Sequence, residues 1–228
     1  MRKILGGLGA LALTVALAGP AGAHTDASAR LKLFTEQSGA EIGWSQGPDS
    51  PLDANSGALN IRTDAGEHAY AYNPTWLGAP GGGSYAVQNV RNLSFDFLND
   101  AGGGYVGAGA PRFSILFKGG SVAYLAAYYC QLPISGSTDW SRADFTGATT
   151  AKGDCGFYYH NVLYSNTATQ SAWKVFVAAN PTLRVDYAFL IVDETTAPGR
   201  ARVDRIALQN HMQISGAKVV HCPNEGSC

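Results

Sequence analysis

A chain of 228 residues with 46% apolar and 14% charged residues is long enough for one substantial core. Its formal net charge of −1 and the absence of any Lys/Arg cluster exclude the electrostatic footprint of a nucleic-acid or anionic-membrane partner. With 28 glycines and 11 tyrosines, such low charge fits a rigid extracellular β domain better than a cytosolic enzyme.

The N-terminus carries the pattern of an export signal. Arg2 and Lys3 precede an apolar run from Ile4 to Ala18, Gly19-Pro20 breaks it, and Ala21-Gly22-Ala23 supplies the small residues of a cleavage site. The run is too short to span a bilayer. Residues 1–23 are therefore expected to be removed, leaving a secreted domain over 24–228. The 16 basic residues less Arg2 and Lys3 leave 14, against 17 acidic ones.

Farther along, Gly43-Trp44-Ser45-Gln46-Gly47 matches the form of a nucleophile elbow. Pro48, Asp49, Ser50 and Pro51 follow at once, so the helix that such an elbow needs cannot start. Leu59 and Ile61 alternate with polar neighbours, which predicts a strand. Tyr70, Tyr72 and Trp76 then cluster ahead of the turn-forming Ala79-Pro80-Gly81-Gly82-Gly83.

Period-two alternation dominates the middle of the chain. It runs through Leu93, Phe95 and Phe97, through Phe113, Ile115 and Phe117, and, after Gly119-Gly120, through Val122, Tyr124 and Tyr128. Such runs predict strands packed on one face. Trp140 stands in a polar loop, and Tyr158-Tyr159 follow Cys155. Trp173, Phe176 and Val177 fall at helical spacing after the candidate caps Thr169 and Ser171, and Asn180-Pro181 stops the helix. Leu183, Val185, Tyr187, Phe189 and Ile191 form the longest alternating run. In the next one, Ala201 and Val203 fall out of phase with Ile206 and Leu208, which predicts a β-bulge near Asp204-Arg205.

The four cysteines are Cys130, Cys155, Cys222 and Cys228. In an exported chain they predict disulfides with three possible connectivities. The favoured pairing is Cys130–Cys155, clamping the loop that carries Trp140, with Cys222–Cys228 closing the C-terminal tail. Zinc is the alternative, since His221 precedes Cys222, but the spacing fits no closed four-ligand pattern.

The expected fold is all-β, an antiparallel jelly-roll sandwich with one short helix. Arg202-Val203-Asp204-Arg205-Ile206-Ala207-Leu208 resembles the closing strand of galactose-binding-like jelly-roll sandwiches, many of them carbohydrate-binding modules, and Leu93-Ser94-Phe95-Asp96-Phe97 is similar to one of their inner strands. The resemblance implies a structural Ca²⁺ near Asp204. It also implies non-catalytic binding of an extracellular carbohydrate or cell-wall polysaccharide. Trp76 and Trp140, then Tyr72 and Tyr159, are the aromatics expected to stack on sugar rings. No catalytic residue is assigned, and the carboxylates on strands, Asp96 and Asp186 among them, are expected to be solvated. A structural or protein-interaction domain without a small ligand is the alternative. A further one follows from His24, which cleavage after Ala23 would make the mature N-terminus. That placement is similar to copper-dependent lytic polysaccharide monooxygenases, with His68, His160 or His211 as the second copper ligand.

Overall fold

The computed structural model describes residues 31–35, 40–45, 58–64, 66–72, 85–99, 111–130, 140–147, 155–193, 199–208, 211–213 and 219–222. The signal segment, His24, Trp76, Cys228 and the proline- and glycine-rich loops at 47–51 and 79–83 lie outside them. Of Cys222 only the backbone is described.

In chain order the first strands are β1 (Leu31–Thr35), β2 (Glu41–Ser45), β3 (Ala58–Thr63), β4 (Ala69–Tyr72) and β5 (Tyr85–Ala86). The middle of the chain forms β6 (Leu93–Asn99), β7 (Arg112–Phe117), β8 (Val122–Ala126), β9 (Ser141–Asp144), β10 (Phe157–Tyr159) and β11 (Val162–Tyr164). Helix α1 (Ala172–Ala179) precedes β12 (Arg184–Val192), β13 (Gly199–Leu208), β14 (His211–Gln213) and β15 (Val219–Cys222). Two sheets result. One has the order β11-β10-β8-β7-β12-β4-β1-β15, with β5 beside β12; the other runs β2-β3-β13-β6-β9, with β14 beside β13. Pairing is antiparallel except between β1 and β15. The fold is therefore all-β, two sheets and one helix. Ser45 is the last residue of β2.

The sheets are joined by an aromatic core. Phe95 of β6 meets Phe113 of β7 edge to face, with ring centroids 5.1 Å apart. Around them Phe97, Phe117, Phe145 and Phe157 are fully or almost fully buried. Such contacts add about 0.5–1.5 kcal/mol each beyond the area they bury. Helix α1 contributes Trp173 and Phe176, as its spacing predicts, and Phe176 packs on Phe117, Phe157 and Tyr159. Its first turn is satisfied differently from the sequence expectation. Ser171 occupies the N-cap position without a side-chain cap bond, and Asn166 Oδ1 instead accepts from the Ala172 N–H at 2.6 Å.

Turn chemistry sets two hairpins. Gly119 and Gly120, at φ 95° and 88°, close β7 onto β8 in a conformation that L side chains resist. His160 and Asn161, at φ 48° and 62°, close β10 onto β11; positive φ at both central residues is the signature of a type I′ turn. The strand read through Tyr128 stops early, because Ala127–Tyr129 form a 3₁₀ turn.

Two bulges change which side chains face the core. On β13 the register slips between Asp204 and Ala207, where the sequence phase break predicts it, and Arg205 takes φ 45°. On β12 the register slips between Val185 and Tyr187. The run Val185, Tyr187, Phe189, Ile191 is therefore not one face. Val185 points inward with Ala188, Leu190 and Val192, while Tyr187, Phe189 and Ile191 turn to the outside.

The disulfide Cys130–Cys155 is present and buried, bridging two chain segments that also pair as an isolated β-bridge. For a sequence separation of 25, the chain-entropy estimate is about 3.5 kcal/mol. Replacing both cysteines with alanine should lower unfolding free energy by about 3 kcal/mol in urea titration; a loss well under that would mean the bridge adds little. At the helix, Asn166→Ala should cost about 1 kcal/mol. Ser171→Ala should be near neutral, because its buried hydroxyl has no hydrogen-bond partner among the described residues. The reverse order in thermal melts would restore Ser171 as the cap.

Candidate functional site

Both sheets bury their inner faces, so any site on these residues must be built from the outward positions. On the β2–β9 sheet these are polar and partly covered. Asp96 and Asp204 stand opposite each other on β6 and β13 and are 1% and 0% exposed, so Asp96 is not the solvated carboxylate that the sequence suggests. Arg142 Nη1 donates to Asp96 Oδ1 at 2.7 Å and its Nη2 to Ser94 Oγ at 2.7 Å. The β13 bulge turns Arg205 so that its Nη1 reaches Asp96 Oδ2 at 3.4 Å. The Arg205 N–H in turn donates to Asp204 Oδ1 at 2.7 Å, holding the bulge. Asp204 is thus a backbone-bonded carboxylate at the bulge, and no cluster of three or more metal-ligating side chains occurs among the described residues.

The outer face of the other sheet is aromatic. Phe34 of β1 stacks on Tyr70 of β4 at 4.8 Å and 11°, and Tyr70 meets Phe189 of β12 at 5.5 Å. Tyr187 lies 6.1 Å from Phe189 and edge-on to Tyr72 at 6.2 Å. The row continues across the hydrogen-bonded neighbours: Phe189 opposite Ser114, Ser114 opposite Tyr124, Tyr124 opposite Tyr158. Tyr158 contacts Tyr129, which contacts Tyr128. The β1–β4 half of this face is a small second core, with Phe34, Tyr70 and Ile191 buried. Toward β8 and β11 it opens, and Tyr124, Tyr128 and Leu163 are all exposed.

Where the two halves meet lies a groove of about 290 Å³, open on one side. That is at the small end of ligand-pocket volumes, about 300–1,000 Å³. Its walls are Tyr70, Tyr124, Tyr187 and Phe189, with Leu116, Val122 and Ile191, and its polar groups are His68, Arg112, Ser114 and Asp193. Arg112 organises them. Both its Nη atoms donate to the Asp193 carboxylate, its Nε donates to Ser114 Oγ at 3.3 Å, and its Cζ lies 5.0 Å from the centroid of the Tyr124 ring. A guanidinium at that distance from an aromatic face is attracted by about 0.5–2 kcal/mol. Burial pushes the Asp193 carboxyl up from its ordinary range, against the opposing pull of Arg112 and His68. Burial, then Tyr187 and Asp186, raise the Tyr72 hydroxyl.

Trp76 lies outside the described residues; of the other aromatics expected from the sequence, Tyr72 sits on this face, half-buried at the groove's flank. Tyr159 does not. It is a core residue, packed on Phe117 at 5.5 Å, its hydroxyl hydrogen-bonded with Ser121 Oγ at 3.1 Å. Strand alternation turns Tyr158 out and Tyr159 in, and the pair Tyr158-Tyr159 does not reveal which is which. Trp140 is half-buried beside β9, on the opposite sheet, so the two are not brought together. Among the candidate second histidines, His68 lines the groove, His160 sits in the β10–β11 turn and His211 begins β14. Tyr124, Tyr187, Phe189, Arg112 and Asp193 were missed as site residues. Their apolar alternation looks like core, and only the β12 bulge and the order of neighbouring strands put them outside.

Arg112 and Asp193 are 12% and 17% exposed, so removing the cation strands a carboxylate in a poorly solvated place. Arg112→Ala should lose about 3 kcal/mol at neutral pH. The loss of its opposing pull drives the Asp193 carboxyl further up. A raised folded-state carboxyl lends stability below its unfolded pKa and loses it as pH rises through the folded value. The gap between variant and parent should therefore narrow on acidification through the carboxylate range; a pH-independent gap in urea titrations would exclude this account. Comparison with protein-family models, with curated proteins and with solved structures finds no match for this chain.

Proposed function

We propose that the chain is an exported, non-catalytic carbohydrate-binding domain, a sandwich of jelly-roll type whose sugar site is the aromatic groove on β4, β7, β8 and β12. One observation carries this reading: the outer face of a fully formed sheet is covered by tyrosine and phenylalanine rings that converge on an open groove with a few fixed polar groups. Large apolar side chains on an outer face are costly to leave in water and mark binding surfaces. The flat rings suit the C–H faces of pyranoses, and Arg112, Ser114, Asp193 and the tyrosine hydroxyls suit their hydroxyl groups. Among the described residues the lining holds a single carboxylate, Asp193, engaged by Arg112, whereas glycoside hydrolysis requires two facing each other. An open, shallow site of this kind supports affinities of about −4 to −8 kcal/mol, millimolar to micromolar.

Retention on a panel of insoluble polysaccharides and migration through polysaccharide-containing native gels test the proposal. The parent chain should be retained by at least one polymer. Tyr124→Ala and Phe189→Ala should each weaken retention by about tenfold or more while keeping the circular dichroism spectrum of the parent. The exposed Tyr124 should leave the melting temperature close to the parent's, and Phe189, packed on Tyr70, should lower it. Retention unchanged in both variants would move the site elsewhere, and no retention of the parent on any polymer would leave the protein-interaction reading in its place.

A further inference from the structure

The polar end of the groove has a feature that binding to sugars in general does not require. A guanidinium fork is built to receive a carboxylate, sulfate or phosphate bidentately. Here the fork is already filled from within the protein, because Asp193 accepts from both Nη atoms of Arg112. Ser114 Oγ takes the Nε–H and the Tyr124 ring lies beside the guanidinium carbon. Just past the other end of β7, Lys118 is paired to Asp186 of β12 in an exposed ion pair. Arg112 and Lys118 are therefore each paired with a carboxylate of the β12 segment.

We infer that the groove selects an uncharged polyhydroxylated chain, a neutral glycan, and rejects acidic ones, with Asp193 as the residue that sets this choice by acting as a resident anion on Arg112. The inference rests on the proposed sugar site and narrows its substrate class. An incoming carboxylate or sulfate has two options. It can displace Asp193, leaving that carboxylate 17% exposed and without its cation, or it can sit beside it as a like charge. Both cost free energy. A hydroxyl group faces neither cost, since it can donate to a carboxylate oxygen while Asp193 stays on Arg112. Of the remaining described lining, Tyr70, Tyr187, Phe189, Leu116, Val122 and Ile191 add no charge, and His68 acts on the same Asp193 carboxylate as Arg112.

The test uses the full chain in native gels containing neutral polymers (hydroxyethyl cellulose, xylan, glucomannan) or acidic ones (carboxymethyl cellulose, polygalacturonate) at low salt. The parent should be retarded by at least one neutral polymer and by neither acidic one. Asp193→Asn keeps the shape of the side chain but removes its charge, and should gain retardation by the acidic polymers of about tenfold or more. That gain should vanish at high salt, as expected for a newly available cation. If the parent is retarded as strongly by acidic as by neutral polymers, or if folded Asp193→Asn gains nothing, the inference is overturned while the sugar site stands. Retardation of the parent by no polymer of either kind overturns both. Should Asp193→Asn fail to fold, the neutral-against-acidic comparison on the parent decides alone.

Discussion

Side chains of a β-strand alternate between two faces, and in this protein the alternation is anchored by one inter-sheet contact, Phe95 of β6 against Phe113 of β7. With those rings between the sheets, the parity of both strands is set, and each neighbouring strand inherits its parity through the ladder. A one-residue slip would carry the phenylalanines to the outside, so burial pins the register firmly. Helix α1 and the Cys130–Cys155 bridge extend the same core, bringing Phe176, Trp173 and Phe157 together. Everything outside the core, including the groove, is what that parity leaves over.

The two bulges are where the fold departs from simple alternation, and each serves an outer face. On β12 the slip after Val185 releases Tyr187, Phe189 and Ile191 from the core side while Ala188, Leu190 and Val192 take their place. The strand can do this because both of its faces are apolar. On β13 the slip at Arg205 swings a guanidinium toward Asp96. A bulge re-aims a side chain at small local cost, and here the two re-aimed groups are an aromatic wall and a counter-charge.

Each outer face holds a carboxylate paired with arginine, but with different consequences. Asp96 is almost fully buried between Arg142 and Arg205, so its pairing offsets desolvation and presents nothing to a ligand. Arg112 and Asp193 sit at the wall of an open groove, where the same kind of pair stays in reach of solvent on one side. Aromatic rings around it lower the local dielectric and strengthen every polar contact made there.

The local pattern of residues determined the all-β class, strands β6, β7 and β12, helix α1, the Gly119-Gly120 turn and the bulge near Asp204-Arg205, and it singled out Cys130 with Cys155. These rest on periodicity, turn chemistry and short loop closure, all of which act over a few residues to a few tens. Tertiary structure alone decided that Tyr158 faces out and Tyr159 in, that Asp96 and Asp204 are buried, and that Asn166 rather than Ser171 caps the helix. It also decided that His68, Arg112, Tyr124, Tyr187 and Asp193 meet at all. The reason is that strand order and parity are set by pairings between distant segments. A period of two shows that a strand has two faces, and only the neighbouring strands and the opposing sheet choose which of them water sees.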